Sequence, residues 1–246
     1  MKTLKIFLLS FCAISMLNAQ NYPSGNAILK KITENMSAKT RIIHSRMEIE
    51  SVRGTRVMET KTWSEGEKKA YIEILAPEKE KGTKMLKLDN KLWIFSPKTK
   101  RSVEISGQML RQSMLGSDMS YEDMMNDSPL TQKYKAEVIG DETIDGRKCW
   151  IVSLTATKEN VNYHTQKMWV DQERFVPLKI NLYAKGGRLL KTTLLTNVEK
   201  IQGRWFPKTI IYKDMLKEGK DTKMTILSIR FDENIPASVF DKANLK

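Results

Sequence analysis

No disulfide framework can hold this chain together, because its 246 residues contain only two cysteines, Cys12 and Cys149, one pair at most. Histidine is equally scarce: His44 and His164 stand far apart, each in an alternating stretch and neither beside clustered Cys, Asp or Glu. A zinc site needs such clustered ligands, and general-base chemistry needs an oriented partner, so neither is expected. Phosphate-cradling glycine loops, a Gly-x-Ser-x-Gly elbow and a dinucleotide fingerprint are all missing from the sequence. The adjacent acids Glu122 and Asp123 point in different directions on a presumed helix and suit a solvated face. Cys149, between Lys148 and Trp150 in a β-rich run, is expected to be a buried structural thiol. No cofactor, metal or catalytic residue is expected, and the chain reads as a binding protein and not an enzyme. A hydrolase whose carboxylates converge from distant strands is the remaining catalytic alternative.

Long apolar runs are also lacking, apart from one at the N-terminus. Lys2 and Lys5 precede a mostly apolar stretch from Ile6 to Leu17, and Asn18-Ala19-Gln20 offers a small residue for cleavage. That run is shorter than the ~20 residues of a membrane span and reads as a signal peptide over residues 1–19, cleaved near Ala19. Cys12 lies inside the run and has no lipidation context. The exported chain then retains one cysteine, so its own core must hold the fold. No linker tract or fixed-period repeat divides the rest, and one domain over residues 20–246 is expected.

Charge is present in excess. Forty-two Lys and Arg face 29 Asp and Glu, a net charge of +13 at pH 7. Such a surface suits nucleic acid, anionic lipid or acidic partners. Export sets nucleic acid aside and leaves two readings, transient contact with an anionic membrane surface and simple solubility.

The hydrophobic pattern has two periods. Ile28, Leu29, Ile32 and Met36 recur at helical spacing behind Ser24, a candidate N-cap. From Thr40 onward the period is two, beginning with Ile43, Ser45, Met47 and Ile49. Turns at Glu65-Gly66-Glu67, Asp89-Asn90, Asp145-Gly146 and Gly186-Gly187 separate about eleven strands joined by short hairpin connections. Short antiparallel connections predict a strongly curved sheet or partly open barrel. A short terminal helix is expected near Ser238 to Asn244.

The alternation breaks between Gln108 and Asp127, a segment holding Met109, Met114, Met119, Met124 and Met125. Ser120 with Asp123 three residues on predicts a capping box and a short helix. Methionine packs against irregular or changing partners, which suits a mobile lid; a plain amphipathic plug is the alternative. Trp63, Trp93, Phe95, Trp150 and Trp169 lie on different strands. They either fill a core against the N-terminal helix or line an apolar cavity for a hydrophobic ligand. The candidate cavity lining is Met47, Ile49, Trp63, Ile72, Ile74, Leu86, Trp93 and Phe95, with Met109, Leu110, Met114, Leu115 and Met119 as the lid.

Two stretches carry a resemblance. Lys91-Leu92-Trp93-Ile94-Phe95-Ser96-Pro97, with Arg101, Ile105 and Ser106 beyond it, is similar to a pattern of the outer-membrane lipoprotein-sorting (LolA-like) family. Gly116-Ser117-Asp118-x-x-Tyr121-Glu122-Asp123 resembles that family's central segment. Met168-Trp169-Val170-Asp171, Phe175-Val176-Pro177-Leu178, Gly203-Arg204-Trp205-Phe206-Pro207 and Ile235-Pro236 with Phe240 extend the likeness over most of the chain. The resemblance implies an unclosed, strongly curved antiparallel half-barrel whose concave face is covered by helices. It implies a periplasmic carrier shielding the acyl chains of a lipoprotein or other lipid, handed from an inner-membrane exporter to an outer-membrane acceptor. It also implies an arginine that holds the lid, at a position the motifs leave open. Related domains act instead as lipid-responsive signalling modules or exporter accessories, and that alternative stands beside carriage.

Overall fold

The computed structural model describes residues 22–52, 54–125, 129–159, 161–218 and 221–246. The expected signal peptide and its cleavage point lie outside these residues, as do the last two positions of the Met-rich segment, 126 and 127. No helix among the described residues is long and apolar enough to cross a membrane.

Helix α1 (Gly25–Met36) opens the described chain. Ser24 occupies the N-cap position, but its side chain makes no capping bond, contrary to expectation; only its carbonyl serves, accepting from the Ile28 N–H. The stripe Ile28, Leu29 and Ile32 is buried as its spacing predicts.

Then come β1 (Thr40–Ser51), β2 (Gly54–Glu65), β3 (Lys69–Ala76), β4 (Lys84–Leu88), β5 (Lys91–Ser96) and β6 (Arg101–Glu104). A crossover follows, built from two 3₁₀ turns (Gly107–Arg111 and Met114–Gly116), α2 (Tyr121–Met124) and α3 (Leu130–Lys133). The second half comprises β7 (Tyr134–Ile144), β8 (Arg147–Ala156), β9 (Thr165–Asp171), β10 (Pro177–Tyr183), β11 (Leu189–Ile201), β12 (Arg204–Asp214) and β13 (Thr222–Phe231). Two 3₁₀ turns, Ala237–Phe240 and Lys242–Asn244, stand where a terminal helix is expected.

All these strands form one antiparallel sheet in the order β6-β5-β4-β3-β2-β1-β13-β12-β11-β10-β9-β8-β7. The chain therefore meanders from the middle of the sheet to one edge, crosses over one face, and meanders back from the other edge. The fold is mainly β, an unclosed curved half-barrel as expected, with 13 strands where the pattern suggests about eleven. The edge strand β6 has four residues, all exposed, so burial leaves little imprint on its pattern.

Alternation works because the helices and the crossover occupy one face. On that face α1 packs over Tyr134, Ala136, Val152, Leu154, Met168 and Val170, while Met36 reaches the Phe206, Ile229 and Phe231 cluster. Gly25 lets α1 approach closely, since a Cβ there would fall 2.5 Å from the backbone C and O of Ala136. The crossover covers the other half, burying Met114 and Tyr121 against Met47, Ile49, Met58, Met85 and Leu92. On the opposite face the C-terminal residues Ile235, Phe240 and Leu245 pack on Tyr71, Leu86, Trp93 and Phe95.

Candidate functional site

Register shows which side chains share a face. Met47 stands opposite Met58 and Met224, and Ile72 opposite Met85, which in turn faces Ile94. Ile74, opposite Thr60 in the row of Ser45, belongs to this helix-bearing face as well. Of the expected lining, Met47, Ile49 and Ile72 thus lie beneath the crossover, with Met109, Leu110, Met114, Leu115 and Met119 in or against the same cluster, and Ile74 is buried on the same face. Trp63, Leu86, Trp93 and Phe95 lie on the other face, beneath the C-terminal segment. The parity within each strand is as expected, but the phase between strands divides the set in two.

Under the crossover the packing is dense. Met58 and Leu92 are fully buried, and Met47, Ile49 and Met114 nearly so. Open space lies beside this cluster, between the crossover and α3, over β9–β12. A cavity of about 210 Å³ there has Leu130, Ile180, Leu182 and Met119 as apolar walls. A second of about 340 Å³, edged by Leu190, Leu216 and Val161, adjoins it, and the two share Met119, Asn162, Tyr163 and Lys191. Among the expected site residues, Met119 alone lines these two cavities.

The floor is a pair of cross-strand rows. One runs Thr222, Tyr212, Thr193, Ile180 and Met168; the next runs Asp214, Lys191, Leu182 and Gln166. Polar groups therefore occupy inward positions of otherwise apolar strands. Between the cavities stands a cluster from three elements. Asp123 of α2 accepts from the Lys191 ammonium (2.5 Å), from the Tyr163 hydroxyl (2.5 Å) and from the Ser120 N–H (2.8 Å). Ser120 Oγ in turn accepts from the Asp123 N–H, so the expected capping box is formed. Asp123, expected on a solvated face, is instead mostly covered, at 19% side-chain exposure, with Lys191 at 16%.

Burial by itself would raise the Asp123 carboxyl. The Lys191 charge and the hydrogen bonds from Lys191, Tyr163 and Ser120 outweigh it and hold the carboxyl below its ordinary range. Burial, reinforced by the Asp123 charge, pushes the Tyr163 phenol far above its ordinary value, so it stays a donor. Tyr212 is raised by the same two causes.

Two further ties pin the crossover. Asp118 accepts from the Thr222 hydroxyl (2.5 Å) and from the Asp214 N–H (3.1 Å), joining it to the β12–β13 end. Arg56 of β2 donates to the Leu115 carbonyl and pairs with Glu80 at 3.1 Å. Gly116 beside it sits at φ +77°, with Arg56 Nη2 only 3.4 Å from where a Cβ would stand. The stretch 115–123 thus clasps the crossover at three points: β2, the β12–β13 end and β11.

The remaining reactive groups lie elsewhere. Cys149 is fully buried with Trp169 and Leu178, and burial, then the Asp171 charge, pushes its thiol up to about 11. His44 Nε2 lies 3.5 Å from Glu59 on β2, and His164 Nδ1 lies 3.3 Å from the Thr165 hydroxyl.

Comparison with known proteins follows this architecture. The family whose model matches residues 66–246 is described as an uncharacterized protein family. A curated relative, the uncharacterized protein MJ0687 of Methanocaldococcus jannaschii, is 40% identical over 53 residues, which are 22% of this chain and 15% of that protein. Among solved structures, a DUF1329 family protein from Desulfovibrio piger superimposes with a TM-score of 0.82 at 24% identity, over 90% of this chain and 98% of its own. The LolA superfamily protein NE2245 from Nitrosomonas europaea gives 0.73 at 24%, over 90% and 99%. A Vibrio parahaemolyticus domain named for outer membrane lipoprotein sorting gives 0.76 at 22%, over 90% and 97%. At these identities the likeness is one of fold.

Proposed function

Since the chain belongs to the uncharacterized-protein family matched at residues 66–246 and has the fold of LolA-superfamily proteins, we propose that it is a periplasmic carrier and not an enzyme. Its cargo is the acyl part of a lipoprotein or other lipid, moved toward the outer membrane. In this reading residues 1–19 are the signal peptide and residues 20–246 one lipid-binding domain. An inner-membrane exporter supplies the cargo, an outer-membrane acceptor takes it, and contact with anionic membrane is transient.

One observation carries the reading. Two adjoining cavities with apolar walls are separated by Met119 and the Asp123–Lys191–Tyr163 clasp, the part of the crossover whose release would join them. Joined, they reach the ~300–1,000 Å³ typical of small-molecule sites. Each methylene moved from water into such a space contributes about 0.8 kcal/mol, ample for a chain that must also be released. The densely packed cluster under Met114 is the hinge side of the lid, and the cleft over β9–β12 receives cargo.

Mass spectrometry of lipid extracted from protein purified from its native host, with displacement of a fluorescent acyl probe, tests this. Co-purifying acyl lipid that competes with the probe is expected. Protein free of lipid that also ignores the probe would end the proposal. The signalling or exporter-accessory alternative draws support from β6, an exposed edge strand on which a partner strand can pair. Under that reading, mutations on β6 abolish partner capture while leaving probe binding intact.

A further inference from the structure

Antiparallel pairing brings six loops to one rim of the sheet, and three of them are neighbours there. The β1–β2 tip around Val52 adjoins the β12–β13 connection, since Ile49 pairs with Thr222 and the Glu50 N–H bonds the Asp221 carbonyl. That connection adjoins the β10–β11 turn, since Lys191 pairs with Asp214 and the Met215 N–H bonds the Leu190 carbonyl. The exposed apolar side chains on this rim are not scattered. Val52 is 88% exposed, Leu216 54% and Met215 43%.

A soluble surface gains nothing from three apolar side chains at adjoining hairpin tips. Cations flank them: Lys185 and Arg188 in the β10–β11 turn are exposed and have no ion pair among the described residues. Lys217 follows Leu216 directly and is held in place, donating to the Ser117 carbonyl at 2.7 Å and pairing with Asp214 at 3.5 Å. Acids share the rim, Glu218 exposed and Asp221 paired with Lys213, but apolar tips beside the cations of the β10–β11 turn match the two attractions of an anionic bilayer, acyl chains below and phosphates above. The larger of the two cavities reaches this rim, since its wall includes Leu190, Leu216 and Lys217.

We propose that this rim is a membrane-docking surface, with Val52, Met215 and Leu216 inserting into an anionic phospholipid bilayer while Lys185, Arg188 and Lys217 meet its headgroups. Docking places the cavity mouth against the lipid. Its purpose rests on the carrier reading; the docking itself does not, and the two are read separately.

The experiment is flotation of the chain lacking residues 1–19 with vesicles of phosphatidylcholine, alone or with one third phosphatidylglycerol. Preferential binding to the anionic vesicles is expected, falling as salt rises through 0.5 M, beyond the reach of surface electrostatics. Val52→Ser combined with Met215→Ser should weaken vesicle binding at least tenfold, and Lys185→Glu with Arg188→Glu likewise. Because these side chains stand in solvent, both variants should melt as the wild type does and bind the soluble acyl probe unchanged. A wild type that stays off anionic vesicles, or variants that float as well as it does, would overturn the docking surface. Wild type that floats yet ignores the acyl probe would leave the docking surface standing and refute the carrier reading.

Discussion

Asp123→Ala removes the acceptor on which Lys191, Tyr163 and the Ser120 N–H converge, and its cost can be worked out from those three losses. Removing one member of a buried ion pair costs about 3–5 kcal/mol. At 19% and 16% exposure the pair is not fully dry, so the cost falls just below that range, about 2–3 kcal/mol. Losing the capping acceptor adds about 1 kcal/mol. These costs act on opening of the crossover more than on the sheet. Amides of residues 117–125 should therefore exchange with solvent about a hundredfold faster, while those of the β1–β13 ladder barely change. Lys191→Met should cost less, about 1–2 kcal/mol, because Asp123 loses its counter-charge but keeps the Tyr163 and Ser120 donors. Combining the two should recover about 2 kcal/mol relative to the sum of the single changes. Strict additivity in hydrogen exchange, or equal costs for the two single variants, would refute the clasp.

Acidity supplies a second prediction, with the sign set by the two shifts. The Asp123 carboxyl is lowered from 3.8, so its contribution is full above that value and lost as pH falls through the lower folded value. The Tyr163 phenol is raised from 10.0, so its contribution is full below 10.0 and lost as pH rises beyond it. Crossover protection should hold flat from about pH 5 to 9; an inflection near neutrality in exchange of residues 117–125 would contradict this. Met114→Asp, in the dense cluster, should lower stability by about 4 kcal/mol and remove folding and binding together in thermal melts. Met119→Asn, on the cavity wall, should shift stability by less than about 1 kcal/mol yet weaken acyl-probe binding at least tenfold. Cys149→Ser buries a hydroxyl beside Trp169 and Leu178 and should cost about 1–3 kcal/mol in denaturant melts, with probe binding unchanged. Gly25→Ala drives a methyl into the Ala136 backbone and should lower stability by about 1–3 kcal/mol as α1 shifts.

Much of the fold is legible in the sequence because one face of each strand is filled. Ser45, Met47 and Ile49 alternate for that reason, and Trp150 joins Val152 and Leu154 over α1 as their spacing predicts. The crossover is legible as the place where alternation stops, and its capping box as Ser120 with Asp123. The face on which each aromatic sits is not legible. Parity relates residues within a strand, while phase between strands depends on register. Trp93 and Leu92 are both buried, one under the C-terminal segment and one under the crossover, so hydrophobicity does not tell their faces apart. The clasp escapes local patterns because its partners are remote: Arg56 meets Leu115, and Lys191 meets Asp123. One local signal does point to the cleft. Lys191 and Thr193 share the parity of buried Leu195, which places polar side chains where an ordinary core strand would be apolar.

The pairing of β1 with β13 has a consequence for how the molecule comes into being. A ribosome makes β1 long before β13, yet Arg41 pairs with Phe231 and Ile49 with Thr222. Each half is a meander of neighbouring hairpins that can assemble from local contacts, whereas the seam between them closes a loop of most of the chain. Non-local pairing of this kind is slow, because loop-closure entropy is spent before the contact is gained. Until β13 arrives, β1 is a naked edge carrying Ile43, Met47 and Ile49, open to pairing with any other chain. The interval before the seam zips is when this protein is most exposed to aggregation, and destabilising changes at the seam should lower folding yield more than they lower the stability of molecules already folded.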